Sequence, residues 1–540
     1  MKFAEKIIQA GNTRLFIILP AAVLILTLCF ITVFSYQYGT QWIDSDHSSE
    51  MLLGQILSDE NKLVTGSWFY SNEIRLVYQT IFTMPLFKLL GKLGNWALIR
   101  ALNILLNNIV LILSYVFLMK SMGIKTKWSL ISALFLLMPL SLPYWTIVTF
   151  GGYYVFFAVQ LFCCLGLFVR LVADKGNVKT KRADFILFAI LSFTLGVQGM
   201  RSLMAIHVPL LLASLLIWLG KKKAPVLFGC AGFAACCAGY AVNNLLHYRY
   251  SFYSFGITQI DNLFSNFIHK LGRCLVNIAG YFGLAAGGPL FSAQGFFSIC
   301  AIIAALVLLR VVYKTFSRVR TENESSFMPA ALMRVFFAVS LTFNIFVFIV
   351  VEQNIIDRYF IPFMILYVPL TAVLFDYAEH NYNPLKRLAL VCGITLFIAG
   401  QGCFNFKTFA AWDINSIRKG YVQYLLDNKL GFGFATFWNA NVTTELTNGK
   451  IEVTGLRPGT DSIAAQNLNQ FGMYEYLLPV KYKNAYYKEG ESFLLLSSRE
   501  WESFSRRRAV SKVIPGYQDE NFVVIKYPSA ELIHKEVLGN

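Results

Sequence analysis

The sequence predicts a polytopic α-helical membrane protein of about eleven transmembrane helices, followed by a C-terminal extracytoplasmic α+β domain. Three observations carry that class. Hydrophobic residues make up 56% of the 540 and charged residues 14%, with a mean hydropathy of +0.54, which is more apolar than a soluble core of this size can hide. The apolar residues fall in runs near the roughly 20 residues that cross a bilayer as a helix. After residue 405 the composition turns polar and rich in turn residues.

The runs lie at 15–36, 96–119, 128–144, 150–169, 184–199, 202–220, 224–246, 295–313, 330–351, 359–375 and 388–405. The first is too long for a cleaved signal peptide, so it is expected to stay as a span. Positive charge in the short connections sets the orientation. With the N-terminus cytoplasmic, every inner connection is basic: Lys2, Lys6 and Arg14; Lys120, Lys125 and Lys127; Arg170 to Arg182; Lys221 to Lys223; Lys314, Arg318 and Arg320; Lys386 and Arg387. The short outer connections hold only Arg201 and Arg358. The net charge of +17 is therefore a topology signal spread over loops, and no nucleic-acid partner is expected, since that would need a basic face. The ten cysteines are scattered through apolar runs without metal-ligand spacing and read as small core residues.

Three longer segments fall outside. The first, 38–95, contains Ser48 to Leu57 and Ile74 to Leu90, two amphipathic patterns suited to lying flat on the membrane. The second, 248–294, is aromatic and Gly-rich, with an interfacial helical pattern from Ile260 to Ile278. The third, 406–540, carries strand-like runs Lys450 to Val453, Phe493 to Leu496 and Phe522 to Ile525. The domain division is thus a membrane module, 1–405, holding outer loops 38–95 and 248–294, and a soluble extracytoplasmic domain, 406–540.

Chemistry is expected where carboxylates gather outside, beside lipid. The run Trp42-Ile43-Asp44-Ser45-Asp46-His47-Ser48-Ser49-Glu50 follows the first span, and Glu73 and Glu352 are further outer acids. Arg201 and Arg358 suit phosphate contacts, with Tyr359 shaping the same pocket. If the helices form one bundle, these side chains converge on a cavity at the outer face. Trp145, Tyr153 and Tyr154 at outer helix ends fit an aromatic belt on which an acceptor sugar could stack. Plainer roles exist for each. Asp46 would cap a helix beginning near His47, with Glu50 close to the capping-box offset. Arg358 would bridge to Glu352 or Asp357, Arg201 would anchor a headgroup, and His207 would be a hydrogen-bonded core histidine.

At these residues the chain resembles a family. The Asp-Ser-Asp cluster leading into a short helix, the element Tyr70-Ser71-Asn72-Glu73, the late Arg358-Tyr359-Phe360-Ile361-Pro362 opening a helix, and an outer C-terminal domain are together similar to the GT-C superfamily. These are integral-membrane glycosyltransferases using polyprenyl-phosphate sugars, such as the aminoarabinose transferases of lipid A and the protein O-mannosyltransferases. The stretch Gly433-Phe434-Ala435-Thr436-Phe437-Trp438-Asn439-Ala440-Asn441 resembles bacterial membrane proteins of this type. The resemblance implies a bacterial plasma-membrane enzyme moving a sugar from a polyprenyl-phosphate donor to an envelope glycan, glycolipid or protein hydroxyl, with inversion.

Carried over residue by residue, Asp44 and Asp46 match the loop acids, one of which acts as general base. Asp46 is favoured, with Asp44 binding the acceptor or positioning its partner. Arg358, Arg201 and Tyr359 would face the donor phosphate, and Glu73, Glu352 and Tyr153 the acceptor or pocket. The family usually shows adjacent acids, whereas Ser45 separates the two here. That spacing is also that of a metal-binding Asp-X-Asp, so no cofactor is required but a divalent ion on Asp44 and Asp46 is possible.

Two other classes compete with this reading. A transporter or flippase for lipid-linked sugars would show charges at span centres and repeat symmetry, and neither is present in the sequence. A non-enzymatic subunit of envelope polymer assembly would need no outer acids facing arginines. The topology is directly testable: alkaline phosphatase fused after Asn540 should be active, and the same reporter fused at Lys222 inactive.

Overall fold

The structure is a computed structural model that describes residues 15–173, 178–219, 224–253, 266–285, 287–318, 329–351, 355–457, 472–507 and 514–538. Among the described residues, nine helices are long and apolar enough to cross a membrane, and the chain is a multi-pass membrane protein. They are Leu15–Gln41, Trp96–Ser121, Val155–Val172, Met200–Leu219, Pro225–Leu246, Ala293–Ser317, Pro329–Val350, Asp357–Asn381 and Pro384–Asp427. A bent pair, Thr126–Leu137 with Leu142–Thr149, makes a tenth if the two are one broken span. The remaining stretch read from the sequence is also a helix, Val178–Val197, but its first turns carry Lys179, Lys181, Arg182 and Asp184.

Contacts divide the chain into two compact units. One comprises Met1–Thr32, Ile104–Asn243 and Gly256–Phe409, and the other Val33–Asn103, Asn244–Phe255 and Ala410–Asn540. The second unit joins the first outer segment to the C-terminal one, a grouping that a linear division at 405 does not express.

In the first unit, the broken span shows how irregular backbone is tolerated at membrane depth. The bend of 98° falls at Met138-Pro139-Leu140-Ser141-Leu142-Pro143. Proline forces the residue before it out of helical geometry, and Met138 is extended with ψ 117. The freed carbonyls find partners: Asn405 Nδ2 donates to Pro139 O at 2.7 Å and Gln401 Nε2 to Leu140 O at 3.2 Å. In hydrocarbon such groups must be satisfied within the protein. Helix Phe267–Tyr281 takes up the described part of the amphipathic pattern expected at 260–278. Its Lys270 donates to the carbonyls of Ile349, in the last turn of helix Pro329–Val350, and Val351, just past it, where cations are favoured, and Arg273 donates to the Ile355 carbonyl. His207 is buried beside Phe188 and Gly232 and has no hydrogen-bond partner among the described residues, unlike the bonded core histidine expected.

In the second unit, a six-stranded sheet has the order β3-β2-β1-β4-β6-β5. The strands are β1 (Phe432–Thr436), β2 (Glu452–Arg457), β3 (Gly472–Met473), β4 (Ser492–Ser497), β5 (Tyr517–Gln518) and β6 (Phe522–Tyr527). β1 runs parallel to both β2 and β4, and the other pairs are antiparallel. The three strands expected from sequence are present as β2, β4 and β6, and the central β1 is additional. Helix Phe437–Leu446 connects β1 to β2 as a βαβ crossover. Side chains alternate between two cores. Phe434, Leu494, Leu496 and Ile525 face one, with Phe504 and Ile533, while Ala435, Phe493, Leu495 and Val524 face the other, with Tyr421 and Leu425 of helix Lys419–Asp427.

Gly433 of β1 lies across from Phe493, so an added Cβ would sit 2.5 Å from that buried ring. Gly433→Ala should therefore destabilise the sheet by about 1–3 kcal/mol through overpacking, read as an earlier unfolding transition in denaturant.

Candidate active site

The site is built on helix Ser45–Glu60 of the second unit. Asp44 is its N-cap: it is extended, and its Oδ1 accepts from the His47 backbone N–H at 2.8 Å and lies 2.7 Å from His47 Nδ1. The helix thus starts earlier than expected, and the cap is Asp44 and not Asp46. Asp46 occupies the first turn, partly exposed. Nor does Glu50 close a capping box. It is buried and ion-paired with Arg75. The helix does not present a flat apolar face either, for its buried residues run around it from Ser45 to Ser58, and Gly54 abuts Thr83 of helix Thr80–Leu90.

Side chains far away in sequence hold the turn that carries the two aspartates. Asn415 Nδ2 donates to Thr40 O at 2.7 Å and Ile43 O at 2.8 Å, and Asn441 Nδ2 reaches Ser45 O at 3.4 Å and Leu477 O at 3.0 Å. Arg100 Nη2 donates to His47 O at 3.1 Å. The same guanidinium pairs in bidentate fashion with Glu445, Nε to Oε1 and Nη2 to Oε2, both at 2.7 Å. Arg100, Glu445 and His47 are only 3–5% exposed. The carbonyls of Ile43, Ser45 and His47 are thus each fixed by a side chain, two of them from the segment 415–441. Arg418 links that segment internally by donating to Asn415 Oδ1 and Asn439 Oδ1.

The electrostatics separate the two acids. Burial pushes the Asp44 carboxyl up, but the charge of His47, its two hydrogen bonds and the charge of Arg100 outweigh burial and hold it at about 2. Asp46 lies within electrostatic reach of Tyr474, whose hydroxyl burial, Tyr253 and then the Asp46 charge push up to about 12.

One wall of the site comes from three segments laced together. Phe69 N donates to Leu478 O and Leu477 N to Phe69 O, both at 2.9 Å, while Tyr70 N donates to Ser251 O and Tyr253 N to Tyr70 O, both at 2.8 Å. The Tyr70-Ser71-Asn72-Glu73 element thus starts in the middle of a small ladder between 251–253 and 477–480, with Glu73 half-buried just beyond it.

The other expected residues belong to the first unit. Arg201 is exposed in the turn Met200–Ser202, its guanidinium 5.1 Å from the Tyr154 ring centroid and next in chain to Tyr153. Arg358 lies in the 3-10 turn Asp357–Phe360, 5.6 Å over the Tyr359 ring, and its backbone N–H donates to Asp357 Oδ1. Glu352 lies outside the described residues. Among the described residues no group of three or more His, Cys, Asp or Glu side chains could hold a metal ion. Arg100, Glu445, His47, Asn415 and Asn441 went unread in the sequence. The one signal available was Arg100 itself, an ionisable residue within an apolar span.

The fold is shared with ArnT from Cupriavidus metallidurans. The apo crystal structure of that protein matches over 96% of this chain and 98% of its own, with TM-score 0.53 and 12% identity. Its structure bound to undecaprenyl phosphate matches over 94% and 98%, with TM-score 0.50 and 12% identity. No family model matches the sequence, and no curated protein matches it.

The buried Arg100–Glu445 pair makes a specific prediction. Removing one partner strands the other charge, so Arg100→Ala should cost about 3–5 kcal/mol, whereas replacing the pair together, Arg100→Met with Glu445→Leu, should restore much of the loss, both read by unfolding of the purified protein.

Proposed function

We propose that the chain is an extracytoplasmic glycosyltransferase of the bacterial plasma membrane, with a cytoplasmic N-terminus and the sheet domain outside. It moves a sugar from a polyprenyl-phosphate donor to a hydroxyl of an envelope glycan, glycolipid or protein. Asp46 is the general base. The acceptor O–H proton passes to the Asp46 carboxylate as that oxygen bonds to the anomeric carbon from the face opposite the phosphate. The bond from that carbon to the phosphate oxygen breaks, and the polyprenyl phosphate leaves with the electron pair, so the configuration inverts.

The observation that carries this assignment is the division of labour within Asp44-Ser45-Asp46. Asp44, held at about 2 by His47 and Arg100, is a weak proton acceptor and serves as cap. Asp46, one residue inside the helix and partly exposed, is the acid left for proton transfer. The shared fold supports the donor class, because the neighbouring protein was crystallised with undecaprenyl phosphate. Arg358 and Arg201 suit the charge growing on the leaving phosphate, with Tyr359 beside Arg358. Glu73 and Tyr153 remain pocket residues in this reading, and Glu352 keeps the role the family resemblance implies. A divalent ion, if one takes part, would bind Asp44 and Asp46 and draw its other ligands from phosphate and water.

Asp46→Asn should lower sugar incorporation into the envelope acceptor by about 10²–10⁴-fold while leaving the protein folded, since that is the usual contribution of a positioned base. Intact incorporation would remove Asp46 from the mechanism. Undisturbed envelope glycans in a full deletion would remove the glycosyltransferase itself.

A further inference from the structure

Asn441 bridges the Ser45 and Leu477 carbonyls, which brings the turn that carries Asp46 up to a segment where tyrosines gather. Tyr253, Tyr474 and Tyr476 form a closed triangle with ring centroids 5.3–5.4 Å apart. Phe437, the first residue of the helix after β1, backs two of them at 5.4 and 5.2 Å. The three tyrosines come from two separate outer segments, which the Tyr70 ladder brings together, yet they join neither core of the sheet. Each is only half-buried, unlike Phe434 or Leu494 nearby in the fold. Apolar packing alone would bury such rings fully. Left half-open, they present ring faces and phenol hydroxyls side by side, beside a carboxylate.

That combination matches one ligand chemistry. A pyranose has faces of C–H bonds, which lie against aromatic rings, and an edge of hydroxyls, which exchange hydrogen bonds with phenols and carboxylates. A lipid chain would want rings without hydroxyls, and an extended peptide would want an open strand edge. We infer that Tyr253, Tyr474 and Tyr476, backed by Phe437, form the acceptor subsite and that the acceptor is a carbohydrate, whose ring stacks on the tyrosines so that one of its hydroxyls faces Asp46. This inference rests on the glycosyltransferase reading and narrows its acceptor from glycan, glycolipid or protein to a sugar.

The test is direct binding, kept apart from turnover. Soluble glycans released from the envelopes of cells lacking the gene, which carry the unmodified acceptor, are fluorescently end-labelled and titrated against the full-length protein in detergent. Sugar-free envelope lipids and envelope proteins from the same cells serve as competing probes. Saturable glycan binding is expected for the wild type and for Asp46→Asn, weakened about tenfold or more in Tyr474→Ala and Tyr476→Ala, with Tyr476→Phe retaining most of it. Tyr476→Phe keeps the ring and so separates loss of stacking from loss of fold. No saturable glycan binding, equal binding in both alanine variants, or saturable binding of sugar-free lipid or protein in place of glycan would overturn the inference. If Asp46→Asn still transfers sugar while the alanine variants lose glycan binding, the base assignment falls and the subsite stands. The reverse pattern leaves the base and removes the subsite.

Discussion

The second unit depends on a single buried guanidinium. Arg100 enters an environment where an unpaired charge would cost several kcal/mol, and Glu445 takes two of its N–H groups and the His47 carbonyl a third. These contacts join a helix that begins at Trp96, a helix of the sheet domain and the turn that follows the first span. Each would be free to shift without the others. Asn415 and Asn441 add carbonyl contacts on the same turn, and the ion pair of Glu50 with Arg75 holds the middle of the helix. The position of Asp46 is therefore set by groups up to about four hundred residues away in the chain.

Fixing the turn gives two neighbouring carboxylates different chemistry. Asp44 receives a backbone N–H, an imidazole and the field of Arg100, all of which favour its charged form and hold the helix start in place. Asp46 is spared the capping role, and its charge is felt by Tyr474.

The first unit obeys a different constraint. In hydrocarbon a broken helix must find internal partners, and Gln401 and Asn405 provide them for the carbonyls around Pro139. Lys270 and Arg273 do the same for carbonyls at and beyond the end of helix Pro329–Val350. Polar residues that look incidental in apolar runs are thus the means by which irregular backbone is kept.

Much of the architecture was readable from residue order because it rests on local rules. Of the eleven apolar runs, nine are helices long and apolar enough to span and a tenth is a bent pair, since backbone groups in lipid have no other partners, and runs such as Phe493-Leu494-Leu495-Leu496 became strands buried on both faces. The acidic pair beside the first span was legible too, as charge that lipid would not accept. β1 was missed because Gly433 and the aromatic residues around it carry a weak strand signal, while its pairing partners, β2 and β4, lie 16 residues or more further along the chain. Glu50 was misread because nothing local announces Arg75 as its partner. By itself, then, the sequence determined the helical membrane class, its spans and the acids available for chemistry, all properties of hydropathy and charge along a line. Which aspartate caps the helix, and which tyrosine feels the charge of the other, only the tertiary structure decided, because those outcomes depend on Arg100, Asn415, Asn441 and Tyr474 arriving from segments that no periodicity connects.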